Sequence, residues 1–427
     1  MDKLSFAIKS LGRSIYHSPL GDIDFVKDEE RVLFDVLWGK IKDQLHSDEL
    51  ITLERAGPRE RLYFDSARTV AGIATCGGLS PGLNNVISSL VMQLSHQYKV
   101  ADIIGIRYGY RGLHIDQKIN PLRLTPAVVE DIHNSGGSIL GSSRGYSDPV
   151  KIVDALQQYG INVFFAIGGD GTVRGAIEVV EEIERRGLDI AVINIPKTID
   201  NDIPFITKTF GFETSFAEAV EAIRCAHVEA KGAPNGIGIV KLMGRESGFI
   251  AAQASLAQKD VNYVLVPEID FDLEGPYGLF QNLEQRLKRR GHALIVVAEG
   301  AGQKFFRDEQ AIYDASGNKK LCDIGGYLKQ KMEEYFESKH IDVSVKYIDP
   351  SYIIRSVPAN PSDAVYCGFL AENAVHAAMA GKTRLIIGKW NSMFIHLPMD
   401  IITVGRKKID PKDALWRSVK LSTGQPF

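Results

Sequence analysis

Cysteine is scarce in this sequence: Cys76, Cys225, Cys322 and Cys367 are the only four in 427 residues. None forms a CxxC pair, so neither a zinc site nor a disulfide framework is indicated. A reducing compartment fits that usage. Long apolar runs are also missing. The longest, such as residues 293–298, are far too short to span a bilayer. The first residues carry Lys3, Lys9 and Arg13 among apolar neighbours and lack the core of a signal peptide. The ending GQPF is not an SKL-type peroxisomal address. No charge of one sign dominates, with 50 Lys+Arg against 53 Asp+Glu and a net charge of −3. A generic nucleic-acid binder needs a positive field to release phosphate counterions, and none exists here. A local basic pocket for a small phosphorylated substrate stays open. The ten histidines show no HExxH or HxH spacing. They are expected to be structural or surface residues. The expectation is a cytoplasmic protein with no membrane and no nucleic acid as partner.

What is present is ordinary globular material, 44% hydrophobic and 24% charged. Its length predicts two or three domains of roughly 100–200 residues each. From residue 69 short apolar runs alternate with longer amphipathic ones. The spacing predicts strands over 69–75, 100–106, 162–169, 189–195, 236–242, 262–266, 293–298, 343–348 and 384–388. It predicts helices over 83–96, 172–186, 212–230, 247–257, 278–290, 327–337 and 364–380. Strands alternating with crossover helices give an α/β fold, its parallel sheet covered on both faces. Ligands on such sheets sit beyond the C-terminal strand ends, so the turns there carry the chemistry.

Three turns stand out. In AIGGDGTVR, an apolar strand ends at Gly168-Gly169, whose backbone can turn tightly and admit a phosphate. Asp170 supplies one hard carboxylate suited to hydrated Mg²⁺. Gly171 and Thr172 open the next helix, where free N–H groups favour an anion. CGGLSPG, with Gly77 and Gly78, also places paired glycines before a helix; it is a tight structural turn or the second wall of a polyphosphate site. PKTIDND puts Asp200 and Asp202 within one turn, close to Lys197. Neighbouring carboxylates push each other's pKa upward, while a lysine pulls it down. That suits a base acting on a hydroxyl nucleophile, although Asp-Asn-Asp also favours plain Asx-turns. Further basic or hydrogen-bonding residues lie near strand ends: Arg144-Gly145; Met243, Gly244 and Arg245; Glu299; and Lys346, Tyr352 and Arg355. AGKT at 380–383 is no P-loop, because His376 stands where the motif needs glycine and a helix precedes it.

In this order GGDGT, PKTIDND, LMGRESGFIAA, VAEG and YIDPSYIIRS with PANPSD resemble the 6-phosphofructokinase family over residues 68–406. Within it the chain resembles the long ATP-dependent members of the trypanosome type. The resemblance implies two stacked three-layer α/β domains with mostly parallel sheets. A nucleotide-binding domain would span 67–211, completed by 355–406, and a fructose 6-phosphate domain 212–354. An extension, 1–66, and a tail, 407–427, flank them. Asp200 resembles the base for the sugar 1-hydroxyl, assisted by Asp202, Lys197 and Arg245, and Asp170 the Mg²⁺-associated aspartate. Gly77, Gly78, Arg144, Gly145, Gly169, Asp170, Gly171 and Thr172 resemble the ATP site. Thr198, Ile199, Asp200, Met243, Gly244, Arg245, Glu299, Lys346, Tyr352 and Arg355 resemble the sugar phosphate site. Short bacterial members carry an arginine where Lys346 stands and a histidine where Tyr352 stands. They also present an arginine near Asn235-Gly236, where this chain has none.

The implied activity is that of a glycolytic, allosterically regulated kinase with Mg²⁺ as cofactor, ATP and fructose 6-phosphate as partners, and a homodimer or homotetramer as assembly. Position 171 and position 197 bear on the donor. Pyrophosphate users tend to pair GGDD with PKTIDND, and short ATP users GGDG with PGTIDND; this chain combines Gly171 with Lys197. An aspartate at 171 would repel a nucleotide's α-phosphate, whereas glycine leaves that space open, so ATP is expected and a pyrophosphate-dependent enzyme is the alternative. Lipid and NAD kinases share GGDGT but lack the other stretches. A silent metabolite-binding subunit would have no need of Asp170 and Asp200.

Overall fold

A computed structural model describes residues 5–46, 50–306 and 320–426; residues 1–4, 47–49, 307–319 and 427 lie outside it. The chain forms two compact units. The first gathers Met1–Thr198, Ile203–Gly211 and Val357–Gly405, and the second Ile199–Asp202, Phe212–Ser356 and Arg406–Phe427.

A nine-stranded sheet organises the first unit. Its centre is parallel and runs in the order Leu385–Trp390, Ala191–Pro196, Val163–Gly168, Val70–Thr75, Asp102–Ile106. Antiparallel strands finish both edges: Leu122–Arg123 on one side, and Met393–Pro398, Thr52–Arg55 and Arg31–Leu33 on the other. The central strands are apolar because both faces are buried, and alternate residues serve alternate faces. Val163, Phe165 and Ile167 join a cluster with helices Leu83–Met92 and Pro361–Met379. Phe164 and Ala166 join the opposite cluster with helices Pro149–Gln158 and Asp170–Arg185. Each large side chain so buried contributes about 1.5–3 kcal/mol. Local capping sets where helices start. Asp148 accepts from the Val150 and Lys151 N–H groups, with Pro149 as first helical residue. Asn360 accepts from the Asp363 N–H ahead of Pro361.

The second unit has a four-stranded, wholly parallel sheet in the order Tyr263–Leu265, His292–Ala298, Gly236–Leu242, Ser344–Ile348. Leu294, Val296 and Ala298 face helices Phe212–Lys231, Phe249–Ala257 and Ala414–Thr423. Ala293, Ile295 and Val297 face helices Leu279–Arg290 and Ile324–Ser338.

The expected elements form, with ends moved by a few residues. The helix expected over 83–96 is α-helical over Leu83–Met92 and widens to a π-turn over Gln93–Tyr98. The 407–427 segment, expected as a tail, is packed: Trp416 is 1% exposed and sits with Val419 in the second unit's core. The 1–66 segment, expected as an extension, supplies edge strands to the large sheet. Among the described residues no helix is long and apolar enough to cross a membrane.

Candidate functional site

The first unit lines up its three glycine- and lysine-bearing turns by strand register. Ile167 pairs with Thr75 and Gly168 with Pro196, all in parallel ladders. CGGLSPG, GGDGT and PKT therefore leave three adjacent strands at the same end of the sheet. The Lys197 N–H donates to the Gly168 carbonyl at 3.1 Å, and Lys197 is buried. A β-carbon on Gly169 would stand 3.1 Å from the Lys197 carbonyl, and one on Gly77 would stand 3.5 Å from Lys197 Nζ. The lysine thus joins the two glycine turns. Gly78 lies beside Gly77, half-buried. The loop with Arg144 and Gly145 is tied to the same turn: Gly77 N–H donates to the Ser143 carbonyl at 2.9 Å, and Ser142 Oγ to the Gly77 carbonyl at 2.6 Å. Arg144 and Gly145 themselves are exposed.

The glycines of these turns differ in why they are glycine. Gly77 has φ +84°, a conformation that L side chains rarely adopt. Gly168 is crowded, since a β-carbon would lie 2.1 Å from Thr172 Oγ1. Gly171 has neither constraint: it is exposed, its φ is not positive, and nothing lies within 4 Å of an added β-carbon. Packing gives no reason for glycine there. The helix Asp170–Arg185 starts without a side-chain cap, and Gly169 is its N-cap residue. Thr172 is buried and its carbonyl accepts from Tyr110 Oη at 2.8 Å. Asp170 is half-buried in that first turn. No group of three or more His, Cys, Asp or Glu among the described residues is placed to hold a metal unaided. Mg²⁺ keeps most of its waters and takes one or two carboxylates beside phosphate oxygens, so a single carboxylate at an anion-favouring helix start fits it. Thr198 closes the PKT turn, its carbonyl accepting from Thr209 Oγ1 at 2.7 Å.

The second unit holds the rest of the PKTIDND loop. Ile199 is 5% exposed and packs into the core, which leaves only its main chain for a ligand. The Asp200 carboxyl is pushed well above the ordinary carboxylate range. Burial is the largest cause, followed by the Asp202 and Glu299 carboxylates; Arg406 and Arg245 pull it back. Asp202 is buried and pairs with the Arg406 guanidinium.

Adjacent strands His292–Ala298 and Gly236–Leu242 bring two further loops together. Glu299 N–H donates to the Leu242 carbonyl at 2.8 Å and Gly300 N–H to the Gly244 carbonyl at 3.0 Å. Met243, Gly244 and Arg245 thus lie against Glu299. Burial raises the Glu299 pKa; Arg245, Lys241 and Arg355 oppose the rise. The Arg355 guanidinium stacks 4.9 Å from the Tyr352 ring centre, and the Tyr352 side chain is exposed.

Lys346 is not brought to these loops. It pairs with Gly238 in the ladder, four positions before Leu242, or roughly 13 Å along the strand, with its side chain exposed. Three residues that sequence patterns did not mark belong to the charge field. Lys241 bonds Asp349 at 2.8 Å and Asp323 at 3.2 Å. Arg406 pairs with Asp202, and the Lys407 pKa is lowered to about 8, burial outweighing the opposing pull of the Asp202 carboxylate. The only sequence signal for the last two is a short basic run, Arg406-Lys407-Lys408, far along the chain.

A sequence profile described as Phosphofructokinase matches residues 70–378. An ATP-dependent 6-phosphofructokinase of Borreliella burgdorferi is 49% identical over 439 residues, which covers 100% of this chain and 98% of that protein. An ATP-dependent 6-phosphofructokinase of Trypanosoma brucei brucei is 46% identical over 370 residues, 86% of this chain and 75% of that protein. The crystal structure of a pyrophosphate-dependent phosphofructokinase from Marinobacter aquaeolei matches with a TM-score of 0.68 at 20% identity, covering 84% of this chain and 93% of its own. That likeness is one of fold.

Proposed function

The chain belongs to the phosphofructokinase family, and from that premise we propose that it is an ATP-dependent 6-phosphofructokinase. It transfers the γ-phosphoryl group of ATP to the 1-hydroxyl of fructose 6-phosphate, giving fructose 1,6-bisphosphate and ADP in glycolysis. One observation carries the reading: three phosphate-compatible turns leave adjacent parallel strands at one level, with Lys197 Nζ set against Gly77.

Gly77, Gly78, Gly169, Gly171 and Thr172 present backbone and hydroxyl donors to the donor phosphates, with Arg144 and Gly145 on the loop beside them. Asp170 would hold Mg²⁺, which when bound neutralises charge on the phosphate oxygens. The open space at Gly171 supports a nucleotide over pyrophosphate, since it leaves room beyond the β-phosphate. Lys197 offsets charge that grows on the transferring group. Asp200 accepts the proton of the sugar 1-hydroxyl, whose oxygen then attacks the γ-phosphorus as the bond to the ADP oxygen breaks. Asp202 and Arg245 flank that carboxylate. Thr198, the Ile199 main chain, Met243, Gly244, Glu299, Tyr352 and Arg355 serve the sugar phosphate. A cytoplasmic homodimer or homotetramer is the proposed setting.

The test is phosphorylation of fructose 6-phosphate with Mg²⁺ and either ATP or pyrophosphate, in wild type and Asp200→Ala. ATP-dependent turnover should fall at least about a hundredfold in the variant, with substrate binding little changed. Turnover supported by pyrophosphate alone overturns the donor assignment. A folded Asp200→Ala enzyme of near-normal kcat overturns the base.

A further inference from the structure

Arg406 lies more than two hundred residues beyond the aspartate it touches. Its Nη1 donates to Asp202 Oδ2, and its Nε lies 3.4 Å from Glu246 Oε1. The guanidinium therefore bridges two carboxylates with different nitrogens. One of them belongs to the Asp200–Asp202 loop and the other follows Arg245 directly.

The residues after Arg406 are fastened to the same region. The Lys407 N–H donates to the Asp202 carbonyl at 2.8 Å. Ser247 Oγ donates to the Lys407 carbonyl at 2.6 Å. The Ile409 N–H donates to Glu268 Oε1 at 2.9 Å, and that oxygen also accepts from the Gly248 N–H at 2.9 Å. Downstream, Trp416 is buried in the unit's core, and Gln425 exchanges hydrogen bonds with the Val264 backbone at 2.7 and 3.1 Å. The strap is thus anchored at its far end, and Arg406 is held against Asp202 by more than its own ion pair.

We propose that Arg406 is a positioning residue for phosphoryl transfer: it fixes the Asp202 carboxylate and shapes the charge field in which Asp200 acts as base. The inference rests on the reading of Asp200 as that base. A planar guanidinium bridging two acids holds both in one geometry, which a flexible ammonium does not. The charged groups facing Asp200 are Asp202 and Glu299, which disfavour its ionised form, and Arg406 and Arg245, which favour it. Lys407 faces Asp202. Removing Arg406 takes away a cation that favours the ionised form and leaves the Asp202 charge in place. Asp200 then ionises only at higher pH, so the acid limb of kcat moves up.

The experiment measures kcat and KM for fructose 6-phosphate and MgATP across pH in wild type, Arg406→Gln and Arg406→Lys, with folding checked by circular dichroism and thermal unfolding. Arg406→Gln should lower kcat at least about tenfold and raise the acid limb by about one pH unit, with KM for ATP within about twofold. Arg406→Lys should return the limb to its wild-type position, with kcat between the other two. A folded Arg406→Gln enzyme with an unshifted limb and kcat within twofold of wild type overturns the inference. Should the glutamine variant not fold, Arg406→Lys decides, and kinetics indistinguishable from wild type overturn it. A wild type that phosphorylates no fructose 6-phosphate refutes the underlying reading instead, so the two failures are separable.

Discussion

Lys197 and Gly77 meet at the strand ends of the first unit: the lysine Nζ stands 3.5 Å from where a β-carbon on Gly77 would be. Lys197 is buried, and the positive φ of Gly77 turns the backbone beneath it. A buried ammonium held over a phosphate-compatible turn is preorganised to act on charge as it develops, without solvent rearrangement. Lys197→Met keeps the length of the side chain and removes the charge. Its kcat should fall about a hundredfold, the usual cost of losing one preorganised donor, while KM for fructose 6-phosphate changes little. Steady-state kinetics checks this; an effect confined to that KM would reassign the lysine.

The pH dependence of turnover follows from the charges around Asp200. Burial, Asp202 and Glu299 raise its pKa, so the ionised form that the proposed base needs is lost at a pH above the ordinary carboxylate range. Activity should rise with pH through an acid limb in that raised range. Asp202→Asn removes one raising charge, and the limb should move to lower pH. The sign for stability is opposite to that of a salt-bridged acid. A raised folded-state pKa favours the fold while Asp200 is protonated, and that contribution is lost as pH rises through the raised value. A pH series of kcat on both enzymes tests the direction.

Gly171 separates a donor effect from a folding effect. No atom lies within 4 Å of an added β-carbon there, so Gly171→Asp should leave Tm within a few degrees of wild type. In the proposed donor site the new carboxylate would stand beside a nucleotide's α-phosphate. Two like charges near 4 Å repel by roughly 4 kcal/mol at an effective dielectric of about 20, before screening. ATP activity should therefore collapse, and any trace of pyrophosphate activity should suffer less. Kinetics with both donors settles it, and an ATP-competent variant removes the physical basis of the donor assignment.

Arg355 stacks on Tyr352 and opposes the raised pKa of Glu299. Arg355→Ala should mainly raise KM for fructose 6-phosphate, because a guanidinium clamps a phosphate or sugar hydroxyls with paired donors. A change seen only in KM for ATP would move this residue to the other substrate.

Trp416→Ala tests whether the C-terminal helix is structural. Trp416 is 1% exposed and shares a cluster with Val419, Ile250 and Val264. Emptying that site should cost about 3–5 kcal/mol, read as a lower denaturation midpoint at unchanged m-value.

The C-terminal helix and the edge strands show where sequence patterns stop. Residues 52–55 are Thr-Leu-Glu-Arg, with two charged side chains, yet Glu54 is buried in the large sheet. His396 Nδ1 lies 2.8 Å from its carboxylate, with Arg59 and Lys382 each at 3.5 Å. This strand, paired on one side with Met393–Pro398 and on the other with Arg31–Leu33, draws its pairing and its charge partners from distant residues, so no local period marks it. Lys346 shows the same limit in reverse. The resemblance grouped it with Tyr352 and Arg355, whereas ladder register holds it level with Gly238.

By itself the sequence determined the alternation of strands and helices, because strands buried on both faces must be apolar runs and helices packed on them must be amphipathic. It also marked the glycine turns at the strand ends, where Gly77 takes a positive φ and Gly168 leaves no room for a side chain. Only the tertiary structure decided that Lys197 reaches Gly77 and that the Ile199 side chain is spent in a core. It alone set Arg406 against Asp202, immediately before the 407–427 segment that the resemblance gave as a tail. Such pairings depend on register and on contacts between residues far apart in the chain, and a charge in a local pattern carries no record of the partner that will meet it.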